Sequence, residues 1–287
     1  EANFNIISIN AHEETGNKWT YNRDKLVKNW CAQKQISFKE FPTNGIVRCL
    51  KNRDDWSKIR NLRMKEDLTP KPHSLTPIEG IKDGLIPKKN SPIFKNDFTG
   101  KVQKGGSDEA LKIINSFLND RGKNYLYNIS KPGVSEKTCS RISPHLTWGT
   151  ISSKEIIKLL NLEKDKLKQN KAKLLNKNLN AIKSRLSWRC HFIQKLESQP
   201  TLENSCMHPF YEELRKDNFN HKYYKAWKKG LTGYPFIDAC MRSLNYNGWI
   251  TFRMRAMLVS FASYDLWLDW RITGHHLAQT FTDYEPG

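Results

Sequence analysis

Three stretches of the chain hold residue types that could bind a charged, planar ligand. The first runs Thr138-Cys139-Ser140-Arg141-Ile142-Ser143-Pro144. It gathers hydroxyls, a guanidinium and a proline suited to the first turn of a helix. Such a turn offers free backbone N–H groups and hydroxyl donors to an anion, although plain helix capping by Ser143 uses the same residues. The second is Ser187-Trp188-Arg189, ahead of Phe192 and Leu196. An indole beside a guanidinium on an amphipathic helix could stack on and pair with a planar anion; core packing by Trp188 is the alternative. The third is Trp249 to Trp270, apolar nearly all round and therefore expected to be buried. Arg253 and Arg255 lie inside it, and a buried guanidinium without an anion is costly. Candidate partners are Asp269, Asp283, Glu285 and a ligand phosphate, and a purely structural ion pair meets the same need. There is no G-x-S-x-G, no H-E-x-x-H, no acidic pair of defined spacing, no G-x-G-x-x-G and no Walker loop. Aromatic, arginine-rich patches without acid–base machinery point to chemistry carried by a bound cofactor.

Composition narrows the class. The 287 residues include 48 Lys+Arg against 29 Asp+Glu, a formal net charge of +19. Such a charge attracts polyanions, nucleic acid above all, unless it merely reflects a Lys- and Asn-rich composition. None of the six cysteines (Cys31, Cys49, Cys139, Cys190, Cys206, Cys240) sits in a C-x-x-C pair or a Cys/His cluster with zinc spacing. No metal site is therefore expected, and buried thiols in a reducing compartment are. There is no signal peptide, and Arg253, Arg255, Asp265 and Asp269 interrupt the most apolar stretch, so a membrane span is not expected. The reading is a cytoplasmic (bacterial-type) or nucleoid-associated protein, monomeric. Glu1 without a Met, a strand-like Phe4 to Ile9 so near the start, and an end just after Asp283 to Gly287 suggest a fragment at both ends.

The elements that must position these residues fall in two parts. Residues 1–68 alternate strand and helix: Phe4 to Ile9 as a buried strand, Asn22 to Cys31 as a helix with Leu26, Val27 and Trp30 on one side, and Ser37 to Phe41 as a further strand. This looks like the end of an α/β domain. Residues 69–104, with Pro70, Pro72, Pro77, Pro87 and Pro92, read as a connecting segment. Residues 105–287 read as helical. Ser107 to Leu118 has helical spacing of Ala110, Leu111, Ile114, Phe117 and Leu118. Ser152 to Glu155 forms a capping box before Ile156, and Lys164 to Lys183 reads as a solvated helix.

Taken together, the segments resemble the photolyase/cryptochrome family. The resemblance rests on HEETGNKWTYNRD at His12 to Asp24, WSKIRNLRM at Trp56 to Met64, KTCSRISPHLTWGTIS at Lys137 to Ser152, SWRCHFIQKL at Ser187 to Leu196, WKKGLTGYPFIDACMRSLNYNGW at Trp227 to Trp249 and DLWLDWR at Asp265 to Arg271. Their order and spacing run over nearly the whole chain. It implies a mainly α fold: a large all-helical FAD-binding domain preceded by a partial α/β, Rossmann-like antenna domain. The implied activity is light-driven splitting of UV-induced pyrimidine dimers, or blue-light signalling, with UV-damaged DNA as partner. An antenna chromophore of folate or deazaflavin type is a further possible cofactor. By resemblance, Tyr127 and Cys139, Ser140, Arg141, Ile142 and Ser143 line the flavin's phosphate and ribitol region, Cys139 in place of a common Thr. Arg185, Trp188, Arg189, Phe192 and Trp249 join the cofactor cavity, and Trp188 stacks on a flipped base. Arg255 and Asp283 match an ion pair beside the flavin ring, and Glu285 falls where an Asp is usual. Phe252, Arg253 and Ala256 join Trp188 in contacting DNA. Trp270 matches the middle member of an electron-transfer chain; no Trp near Asp217 matches the outer one. Arg185 stands where repair relatives commonly have Glu, and Phe252 where Asn is usual.

Overall fold

The structure, a computed structural model, describes residues 5–76, 78, 80, 84–88, 91–92, 100–169, 173–215 and 219–287. It opens with β1 (Ser8–His12), α1 (Lys18–Gln33), β2 (Ser37–Phe41) and α2 (Trp56–Arg63). The two strands pair in parallel, Ser8 against Ser37 through His12 against Phe41, with α1 as the crossover. The second strand lies where the sequence put it, but the first does not. Residues 5–7 are outside any strand, Phe4 is outside the described residues, and pairing begins at Ser8. Ladder hydrogen bonds with β2, not the apolar run, select the paired residues. Both strands alternate exposed and half-buried positions, so neither is the buried strand expected at Phe4 to Ile9. Helix α1 is longer than expected, starting at an Asn17 cap whose side chain accepts from the Thr20 N–H at 3.1 Å. Its Leu26 and Trp30 face solvent, and Cys31 is its buried residue.

The described part of residues 69–104 contains no helix or strand, and Pro77 lies outside it. Helices then follow: α3 (Ser107–Asn119), α4 (Tyr125–Asn128), α5 (Pro132–Thr138), α6 (Ser143–Thr147), α7 (Ser153–Gln169), α8 (Lys173–Ser198), α9 (His221–Lys229), α10 (Pro235–Asn247), α11 (Phe252–Ser260) and α12 (Trp270–Thr280), with short 3₁₀ turns between some of them. The fold is mainly α, as expected. The capping box is present, the Glu155 N–H donating to Ser152 Oγ at 3.0 Å. Lys164 to Lys183 is divided between α7 and α8, with residues 170–172 outside the described set. Trp249 to Trp270 is not one buried segment either. A π turn follows α11 at Phe261–Asp265, and Trp267 adopts φ 55° before α12 begins. The break turns Phe252, Tyr264 and Trp267 outward.

Three apolar clusters hold the elements. One joins Ile114 and Phe117 of α3 to Ile156 and Leu160 of α7 and Leu179 and Leu186 of α8. A second gathers Trp227, Met241, Leu244, Leu258 and Leu277 from α9 to α12. A third docks Ile46 and Trp56 on Cys190 and Ile193 of α8. Each fully buried side chain of this size contributes about 1.5–3 kcal/mol. Gln194 stitches the third cluster, accepting from the Val47 N–H at 2.7 Å and donating to the Val47 carbonyl at 3.0 Å. No helix among the described residues is long and apolar enough to cross a membrane.

Candidate functional site

Helix α8 sets the floor of the site. Arg185, Trp188, Arg189 and Phe192 recur at intervals of three and four and so share one face. Leu179, Ile182 and Leu186 point into the core, which fixes the rotation of that face. Buried Asn178, one turn earlier, donates to the carbonyls of Gly122 and Lys123 at 2.9 and 2.7 Å and accepts from the Leu126 N–H at 3.3 Å. That clamp presents α4 to the site.

The Cys139–Ser143 loop forms the second wall. Arg141 takes a left-handed conformation (φ 59°), which turns its side chain over the Trp249 ring, 4.1 Å from the centroid. Gln103 holds it, accepting from Arg141 Nε at 3.2 Å and donating to its carbonyl at 2.8 Å. Trp249 Nε1 donates to Ser143 Oγ at 3.3 Å. Burial pushes the Cys139 thiol up to about 11, against the pull of Arg141 and Arg121, so it is a neutral thiol at pH 7.

The third wall is the start of α11 with a strap, residues 282–285. Arg255 donates to both Asp283 carboxylate oxygens, at 3.0 and 2.7 Å, and through Nε to the Ile250 carbonyl at 2.9 Å. Its partner is therefore Asp283. Asp269 pairs instead with Arg271, and Glu285 with Arg189. Burial raises the Glu285 carboxyl above its ordinary range while Arg189 pulls it down. The strap is fastened from outside as well: Trp148 Nε1 donates to the Thr282 carbonyl at 2.9 Å and Thr147 Oγ1 to the Asp283 carbonyl at 3.3 Å. Gly248, at φ 64°, accepts from the Thr282 N–H and hydroxyl through its carbonyl at 2.9 and 3.0 Å.

These walls enclose a cavity of about 520 Å³, within the 300–1,000 Å³ range of small-molecule sites. Of the residues singled out from sequence, Cys139, Ser140, Arg141, Ser143, Arg185, Trp188, Arg189, Phe192, Trp249, Phe252, Arg253, Arg255 and Asp283 line it. Ile142 is buried in the core beside it. Glu285 reaches it only through Arg189 and lines a neighbouring cavity of about 560 Å³. Ala256 is exposed on α11, and Trp270 is half-buried at the head of α12 with the Arg271 guanidinium carbon 5.0 Å over its ring; neither lines the cavity. Tyr127 is not brought to it: it is 76% exposed, with Lys131 Nζ 3.3 Å from its ring centroid. Tyr125 lines the cavity instead, 4% exposed, its hydroxyl pKa raised above the ordinary value by burial. Sequence reasoning also missed Ser130 and Thr251. The 3.6-residue period linking buried Tyr125 to buried Asn128 would have found Tyr125.

The cavity's polar groups are incompletely satisfied by the protein. Thr251 Oγ1, Arg189 Nε and Arg141 Nη1 are buried without a hydrogen-bond partner. Trp188 and Phe252, by contrast, are 48% and 67% exposed at the mouth. The arrangement can hold a polar, anionic group inside and offer rings to a second ligand outside.

Residues 182–287 match the model of the FAD binding domain of DNA photolyase. A deoxyribodipyrimidine photo-lyase of Streptomyces griseus is 30% identical over 212 residues, 74% of this chain and 42% of that protein. Cryptochrome-2 of Arabidopsis thaliana is 25% identical over 271 residues, 88% of this chain and 40% of that protein. The chain thus spans about two fifths of the length of these relatives. Among solved structures, a bacterial class III photolyase from Agrobacterium tumefaciens superposes with TM-score 0.75 at 20% identity, covering 98% of this chain and 59% of that one. A Synechocystis cryptochrome superposes with TM-score 0.76 at 22% identity, covering 97% and 59%. Relatives of both kinds share the helices that build the cavity, and the chain belongs to the photolyase/cryptochrome family.

Proposed function

We propose that this chain provides the flavin-holding part of a light-driven DNA repair enzyme that splits UV-induced pyrimidine dimers. The observation that carries the reading is the cavity itself: five arginines and a single carboxylate, with buried donors left unpaired by the protein. Buried donors without acceptors cost about 1–3 kcal/mol each, and an anionic dinucleotide relieves that cost. FAD fits this donor set. Ser140, Arg141 and Ser143 would serve its phosphates and ribitol; Cys139, a neutral thiol, withdraws one hydroxyl. Bound there in reduced form, FAD supplies the light-excited electron that opens a cyclobutane dimer and is returned once the dimer has split.

The chain's own residues do the rest. Arg255 and Asp283 set a fixed charge pair in the wall. Trp188 and Phe252 take the damaged bases by stacking once these leave the duplex, a step made easier by the lesion's poor stacking. Arg253, Ala256 and the basic surface meet the strand, the net charge of +19 drawing phosphates to it. Trp270 relays an electron toward the surface when the flavin must be reduced.

One observation favours a photoreceptor that leaves DNA intact. Arg185 places a guanidinium rather than a carboxylate beside Trp188, and a cryptochrome is among the relatives covering most of the chain. The deciding experiment is loss of pyrimidine dimers from UV-irradiated DNA under blue light, with the protein's flavin reduced and a dark control. Light-dependent loss is the expected outcome. A flavin-loaded protein that binds the DNA and leaves the dimers in place would refute repair.

A further inference from the structure

We propose that Arg185 and Arg253 clamp a phosphodiester at the mouth of the cavity, so that the site selects a dinucleotide dimer over a bare pyrimidine dimer. The inference rests on the reading above, that this cavity takes damaged DNA. Both guanidinia belong to the cavity lining, and both are anchored on one short piece of backbone. Arg253 Nε donates to Ser130 Oγ at 3.1 Å. Arg185 faces the Tyr125 hydroxyl, its guanidinium carbon 4.7 Å from the Trp188 ring centroid. Tyr125 and Ser130 stand at either end of the α4 turn.

The charge balance separates these two arginines from the others. Arg255 has Asp283, Arg189 has Glu285, and Arg141 has Glu136 at 3.5 Å. Among the described residues, no carboxylate pairs with Arg185 or Arg253. A tyrosine hydroxyl, a serine hydroxyl and an indole face orient guanidinia without neutralising them. Two such cations over one turn repel unless an anion lies between them. A phosphodiester suits the gap, carrying one charge and two unesterified oxygens, one for each guanidinium. The exposed rings of Trp188 and Phe252 beside it accept the bases that the phosphate joins.

The test compares two probes: the thymidine dinucleotide photodimer with its natural phosphodiester, and the same dimer with a neutral methylphosphonate link. Binding to the purified, flavin-loaded protein is followed by tryptophan quenching. The charged dimer should bind roughly tenfold more tightly, the worth of one charge-assisted hydrogen-bond set. Arg185→Gln should lose that preference while hardly changing affinity for the neutral dimer, and Arg185→Lys should keep most of it. Flavin content reports folding of each variant, and Arg253→Gln gives an independent reading of the same ratio. Equal affinity for the two probes in the parent protein, or a preference that survives both glutamine variants, overturns the clamp and leaves dimer repair standing. Failure of either dimer to bind overturns both.

Discussion

Replacing Asp283 by Asn keeps the shape of the strap but removes its charge, and the structure sets the size of the effect. The carboxylate is 2% exposed and accepts two hydrogen bonds from an Arg255 side chain that is itself 26% exposed. The amide leaves that guanidinium without a counter-charge and turns one acceptor into an N–H₂ facing N–H. Removing one partner of a buried pair costs about 3–5 kcal/mol. The partial exposure of Arg255 places Asp283→Asn at the low end, about 3 kcal/mol. For a chain of 287 residues this lowers Tm by about 5 °C, from an unfolding entropy of about 2 cal/mol/K per residue. The assay is urea unfolding followed by circular dichroism, with m unchanged, on Asp283→Asn, Arg255→Met and the double variant. The double variant should be more stable than the sum of the singles by at least about 1 kcal/mol. A single-variant loss below about 0.5 kcal/mol, or strict additivity, would show that the pair does not hold the wall.

Two further outcomes follow from buried groups near the cavity. His276 is packed edge-on against Tyr224 and Trp227, its Nε2 has no partner, and burial drives its pKa from 6.5 down to about 4. Between those values the unfolded chain binds the proton and the folded chain does not. Stability therefore falls as pH drops through that window, by up to about 3 kcal/mol at 1.36 kcal/mol per unit. His276→Phe should flatten this part of the pH profile in thermal unfolding; an unchanged acid slope would assign it to other groups. Gly248→Ala should cost about 2 kcal/mol or more, since its φ of 64° is strained for alanine and the new Cβ would lie 2.5 Å from Thr282 Cγ2. Thr282→Ser in the same background should recover the clash and not the dihedral strain, as read by unfolding midpoints.

Local signals carried further than long-range ones when the sequence was read. The helix at Ser107, the strand at Ser37–Phe41 and the capping box at Ser152 were legible because spacing within a few residues determines them. The start of β1 was not, because its register comes from a partner about thirty residues away. Most cavity residues were legible through motif resemblance, yet Tyr127 was chosen over Tyr125. Two residues apart on a helix face nearly opposite ways, about 200° around the axis, and only tertiary contacts such as the Asn178 clamp say which side faces in. The separation of Asp283 and Glu285 onto Arg255 and Arg189 was likewise invisible, since several acids could reach either arginine.

The strap also dictates an order of assembly. Its ties reach back 28 residues to Arg255, 96 to Arg189 and 136 to Thr147. Contacts of such separation form late, after loop-closure entropy has been overcome. On the ribosome the helices that face the cavity emerge and pack first, while the third wall waits until residue 285 has left the exit tunnel. Flavin capture is in this way timed to the end of translation, and a chain stalled before the strap would carry a finished helical core with an open side.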